Sequence, residues 1–283
     1  MIGKLLKKKL SHPNSADNSL PPVLDLSGQK LRTVLESLLR GAEEKGGIEE
    51  HITTLKAKSA LFKEALLENT RSSLNAGELT TLCAFMPTVR RRVSIELRDQ
   101  GISRVNGALL KLTEGLHDTS STDERIQEFL DQFPRDPAYR WVKDLAAETL
   151  HYIEPEKYPL MTRWVWDSNA NTGVLRELWF GDDVDQKTIT ISDNYNVFLV
   201  LREELSMFLS QNGFYRDVNW YSDLLQAQTY AEYICSQGGT YLRADFSSPD
   251  DPMEHTRRML GLDGAARKSK SVHIQNYNSE TAS

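Results

Sequence analysis

Cysteine is nearly absent: Cys83 and Cys235 are the only two in 283 residues. Two thiols cannot form the disulfide framework that staples small secreted domains. Both lie in apolar helical patterns, which predicts buried, reduced thiols and a cytoplasmic protein. Long apolar runs are missing too. No stretch approaches the roughly 20 apolar residues that a membrane-spanning helix needs. The basic opening MIGKLLKKKL leads into no hydrophobic region, so neither a signal peptide nor an anchor is expected. Charge of one sign is not in large excess. The 34 basic and 40 acidic residues leave a net charge of -6, which argues against a dedicated nucleic-acid coat protein but not against a local basic patch. The sequence also holds no phosphate-binding glycine loop, no GxGxxG, no HExxH, no paired CxxC and no GxSxG. No cofactor or metal is therefore assigned, and no catalytic residue is named.

What is present is helical period. Residues 1–24 read as a flexible basic segment in which Ile2, Leu5 and Leu6 lie opposite Lys4, Lys7, Lys8 and Lys9, a pattern suited to peripheral contact with an anionic membrane or an acidic partner. From Asp25, Leu31, Val34, Leu35 and Leu38 fall on one helical face, and Ile48, Ile52, Leu55, Phe62 and Leu66 on a second. Gly46 and Gly47 between them predict an antiparallel hairpin. Asn75 with Glu78 is the pattern of a capping box, Pro87 breaks the line, and Gly101 is expected to stop the next helix. Residues 25–117 are thus read as an N-terminal helical bundle. Residues 118–262 are read as a second helical subdomain and 263–283 as a disordered tail.

Within the second subdomain the period changes. Residues 133–180 contain Trp141, Trp164, Trp166 and Trp179, four of the five tryptophans. LMTRWVWD alternates in polarity, SNANTG is turn chemistry, and VLRELWF and KTITIS alternate again. The fold class expected is mainly α, a multi-helix bundle with a small antiparallel β-meander inserted in its C-terminal half. A further short strand is expected in YLRADF. The weak point is VLRELWF, whose Leu, Arg and Glu are good helix formers.

Arginine and tryptophan combine large contact area with directional bonding, so Arg163, Trp164, Trp166, Arg176 and Trp179 form the candidate binding surface; the alternative is that the indoles are core. Arg90, Arg91 and Arg92 make a second cluster. Consecutive helical residues fan over about 200 degrees, so at most two, taken as Arg90 and Arg91, address one partner. His151 with Glu154, and His255 with Asp251, have spacings that would let an imidazole and a carboxylate share a helix face. LHYIEPEKYP resembles the helix, proline and tyrosine-proline run of helix-hairpin-helix DNA glycosylases. Their glycine-rich hairpin is not found upstream, and MTRWVWD does not reproduce their aspartate pattern, so no residue is carried over. The leading expectation is a non-enzymatic accessory, adaptor or assembly protein with a protein partner or larger complex. A nucleic-acid-associated protein using the arginine clusters is the alternative, and an enzyme with a site near His151 and Arg163 the second.

Overall fold

A computed structural model of the chain describes residues 22–68, 73–96, 101–181, 183–236 and 251–263. The basic stretch through residue 21, the strand expected in YLRADF and the tail beyond Asp263 lie outside the described residues.

Helix α1 (Gly28–Glu43) starts where Ser27 Oγ accepts the Lys30 amide at 3.4 Å. This is later than Asp25 because the preceding residues are engaged elsewhere: the Phe180 amide donates to Asp25 O at 2.7 Å and the Ser27 amide to Leu178 O at 2.8 Å. Gly46 and Gly47, at φ 99° and 92°, reverse the chain into α2 (Ile48–Lys63), which packs on α1 as the glycine pair predicts. The capping box of α3 (Ala76–Ala84) is present: the Glu78 amide donates to Asn75 Oδ1 at 3.0 Å, and the Asn75 amide to Glu78 Oε2 at 2.9 Å. After Pro87 come α4 (Arg90–Glu96) and α5 (Gly101–Thr113), so Gly101, expected to end a helix, is the first residue of one. The remaining helices are α6 (Thr122–Leu130), α7 (Trp141–Ile153), α8 (Val174–Leu178), α9 (Tyr195–Gln211), α10 (Val218–Ser236) and α11 (Pro252–Met259).

Two helices organise the packing. α7 buries 12 of its 13 residues against α2, α5 and α6. A helix apolar or buried all round is an interior helix, not a surface one. α10 packs on α1, α2, α8, α9 and α11, and one hydrophobic cluster runs from Leu24 to Leu262. Asp118 lies in the turn between α5 and α6, and the α2–α7 and α5–α6 contacts cross that point.

The β-meander does not form: among the described residues there is no β-strand, only the isolated bridges Leu26–Trp179 and Asp167–Thr172. The physical reason is in the turn. Asp167 Oδ1 accepts the amides of Asn169 (3.1 Å) and Ala170 (3.0 Å), closing a local loop in place of a ladder. Gly173, at φ 124°, then brings the chain so close that a Cβ there would stand 2.7 Å from Val165 O. The first amides of α8 donate back, Val174 to Trp164 O and Leu175 to Val165 O, each at 3.1 Å. Helix propensity therefore prevails in VLREL. The alternation in LMTRWVWD is deceptive, because Leu160, Met161, Thr162, Trp164, Val165 and Trp166 are all buried and only Arg163 reaches outward.

Gly173→Ala should meet both the positive φ and the Val165 carbonyl. A loss of roughly 2–4 kcal/mol is expected, from about 1–3 kcal/mol of backbone strain plus the steric displacement. It is read as a lower urea midpoint with unchanged slope, and an unaltered midpoint would mean that the turn is not the one described.

Candidate functional site

Asp144, Glu148 and His151 are separated by four and three residues, so α7 carries them on one face, and all are buried. A buried charge requires a partner, and each of these finds one on another segment. Arg163 gives its amide to Asp144 Oδ1 at 2.9 Å and its Nη2 to Oδ2 at 2.8 Å. Lys58, on α2, places its ammonium 3.1 Å from Glu148 Oε2. His151 meets Asp223 of α10 through Nε2 at 3.0 Å and the Tyr158 carbonyl through Nδ1 at 2.9 Å. Since a carbonyl oxygen only accepts, Nδ1 is the donor in its bond to Tyr158, which turns Nε2 towards the Asp223 carboxylate. The stripe is thus held by two ion pairs, Asp144–Arg163 and Glu148–Lys58, and by the His151–Asp223 contact.

Lys58 is the most constrained member. Its ammonium also donates to Leu260 O at 2.9 Å and lies 3.7 Å from the centroid of the Tyr152 ring, a cation–π contact inside the core. Burial drives its pKa down from 10.5 and that of Glu148 up from 4.5, each opposed by the attraction of the other. Glu148 Oε1 has no hydrogen-bond partner among the described residues. Cys83 is fully buried, and burial, reinforced by the Glu148 charge, pushes its thiol up to about 12. It is therefore a packed thiol and not a thiolate at neutral pH.

A second feature is open to solvent. The first turn of α1, helix α8 and the last turns of α10 enclose a groove of about 730 Å³. Val34 and Leu178 are the buried apolar residues of its lining and Ser27 and Thr229 the buried polar ones, Glu232 and Tyr233 line it from α10, and Phe180, 61% exposed, lines it beside α8. Lys30 is fixed by donating to Trp179 O at 2.9 Å, and Glu232 accepts from Gln228 at 3.0 Å.

The residues singled out from the sequence fall as follows. Trp164 is buried beside Tyr230, with centroids 5.8 Å apart, and Trp166 is fully buried and donates its indole N–H to Ile191 O at 3.1 Å. Arg163 holds Asp144. Arg176 donates to Asn171 Oδ1, to Lys187 O at 2.9 Å and to Val184 O at 2.6 Å. Trp179 is half-buried. Two of the five, Trp166 and Arg176, brace residues 184–191, while Arg163 bonds to α7 and Trp164 packs beside Tyr230 of α10. Arg90, on α4, donates from Nη1 to both carboxylate oxygens of Asp263, at 2.9 and 3.1 Å, while Arg91 is exposed. His151 bonds to Asp223, with Glu154 beyond the helix end. Sequence reasoning did not pick out Lys58, Asp144, Glu148 or Asp223. A signal existed: Lys58 falls between Leu55 and Phe62 in apolar register, and Asp144 and Glu148 interrupt the apolar run DLAAETL. Compared with known proteins, the chain matches no family model, no curated protein and no solved structure.

Removing one member of a buried ion pair leaves the other uncompensated, so Lys58→Met and Glu148→Leu should each cost about 3–5 kcal/mol. The double variant should return to within about 1 kcal/mol of the parent or exceed it. The pH dependence follows from the two shifts. Glu148 contributes its stability fully below pH 4.5 and loses it as pH rises through the folded value, whereas Lys58 contributes fully above pH 10.5 and loses it as pH falls. The gain of the double variant over the parent is accordingly greatest in the interval between and narrows towards both ends. Urea unfolding at several pH values checks this, and additive single-variant losses would refute the pairing.

Proposed function

We propose that the chain is a helical protein-contact module of the reducing cytoplasm, an accessory, adaptor or assembly component that engages a protein partner through the groove between α1, α8 and α10. The observation that carries this reading is Phe180. It is a large ring, 61% exposed, lining a groove of about 730 Å³ that also holds Val34, Leu178 and Tyr233. Interface anchors are of this kind: an aromatic side chain beside a pocket with an apolar lining, rimmed by polar groups such as Gln29, Thr33 and Glu232. Backbone geometry holds Phe180 in place, because its amide is tied to Asp25 O at 2.7 Å and its neighbour Trp179 accepts from Lys30. A backbone already fixed leaves only the side chain to be ordered on binding, which favours affinity. Two thiols in the whole chain, Cys83 buried and Cys235 half-buried, support a reducing compartment.

Because Phe180 is exposed, Phe180→Asp should leave the thermal midpoint within about 1–2 °C of the parent. Its effect should fall on the interaction. A stoichiometric partner recovered from native extract by the full chain should bind the variant about 30-fold or more weakly, the loss expected of an anchor worth at least about 2 kcal/mol. Equal recovery by both chains would overturn the assignment of the groove.

A further inference from the structure

Residues 187–192, KTITIS, have the composition of a strand but no strand beside them among the described residues. Their inner side is nevertheless paired. Lys187 O accepts from Arg176 Nη1 at 2.9 Å, Ile189 O from Asn171 Nδ2 at 2.9 Å, and Ile191 O from Trp166 Nε1 at 3.1 Å, while the Ile189 amide faces Asn171 Oδ1 at 3.4 Å. Contacts at every second residue are the signature of extended backbone, and Lys187 has the matching φ of -104° and ψ of 144°. Three side chains thus do for this segment what a neighbouring strand does in a sheet.

Extended backbone directs the N–H and C=O of alternate residues to opposite edges. With Lys187, Ile189 and Ile191 facing the body, those of Thr188, Thr190 and Ser192 face away. No described residue bonds to their backbone groups, and all three residues are exposed while Ile189 is buried. The same segment borders a groove of about 480 Å³, lined by Thr190, Ile191 and Ser192 and, across from them, by Val197, Val200 and Glu203 of α9. Glu203 is the one ionisable residue in that lining.

We infer that Thr188–Ser192 is a docking edge for an extended peptide segment of another protein, which adds to it as a strand. Backbone bonds to Thr188, Thr190 and Ser192, spaced by about 6.6–6.8 Å, supply the register. Alternate apolar side chains of the peptide enter the groove against Val197 and Val200, and a basic side chain meets Glu203. The edge is independent of the α1–α8–α10 groove.

The test uses the full chain and decapeptides selected on it from a random phage-displayed library, synthesised and titrated calorimetrically. Selected peptides should slow amide hydrogen exchange at Thr188, Thr190 and Ser192. Thr190→Pro removes one outward donor and should weaken binding on the order of tenfold, whereas Thr190→Val keeps the donor and should stay within about twofold. Phe180→Asp should leave the peptide affinity unchanged, which separates this edge from the groove reading. The proposal is overturned if no peptide is enriched, if bound peptides leave those three amides exchanging as before, or if Thr190→Pro binds as tightly as Thr190→Val. A concentration-dependent dimer that protects the same amides without any peptide also overturns it, by making a second copy the occupant.

Discussion

Three ionisable side chains on one face of a helix with no solvent on any side impose the main constraint on this molecule. Desolvating a carboxylate costs several kcal/mol even after the surroundings relax, so Asp144, Glu148 and the His151–Asp223 pair are tolerable only with their partners in place. Those partners come from different parts of the chain: Arg163 from the coil after α7, Lys58 from α2, Asp223 from α10. Sliding α2 or α10 by one residue against α7 would break an ion pair inside the core, whereas apolar contacts alone would tolerate more slippage. The packing of α7 is thereby tied to one register with each neighbour.

The constraint spreads through the groups that complete the pairs. Lys58 donates to Leu260 O, which fixes the end of α11 over the stripe. There Gly261, at φ 71°, lies so close to Phe85 O that a Cβ would stand 1.8 Å from it, and Arg90 binds Asp263 two residues on. On the other side His151 bonds to the Tyr158 carbonyl, and the hydroxyl of that tyrosine accepts from Arg125 at 2.6 Å and donates to Leu116 O at 2.8 Å. A charge pattern on one helix therefore positions α2, α5, α6, α10 and α11 through bonds of about 3 Å, each with a defined direction.

Much of the helical body was legible because it rests on local chemistry. The Asn75–Glu78 cap, the Gly46–Gly47 reversal and the apolar faces of α1 and α2 depend on residues within a few positions of one another. The region from 160 to 180 was not legible, because period-2 alternation signals a strand only where one face meets water. Here both faces are buried, and the alternation carries no information about the backbone. The ion pairs on α7 join residues separated by 19, 72 and 90 positions, and no local pattern pairs them. What the sequence did display was the anomaly of charges in apolar register, at Lys58, Asp144 and Glu148. The Arg–Trp cluster was found as a cluster, but composition alone could not say whether its members face a partner or one another.

The arrangement of that cluster bears on how surfaces are made in this fold. Arg176, Asn171 and Trp166 hold the carbonyls of residues 184–191, while Trp179 and the Phe180 amide tie the coil to Asp25 and Lys30. The Arg176 guanidinium and the Trp166 indole, which could serve as contacts, are here directed at backbone acceptors. That satisfies polar atoms which a regular sheet would have satisfied with a neighbouring strand, and it leaves residues 188, 190 and 192 exposed. A brace of this kind explains how a short coil rich in arginine and tryptophan can be largely buried and still present an outward edge of backbone at residues 188–192.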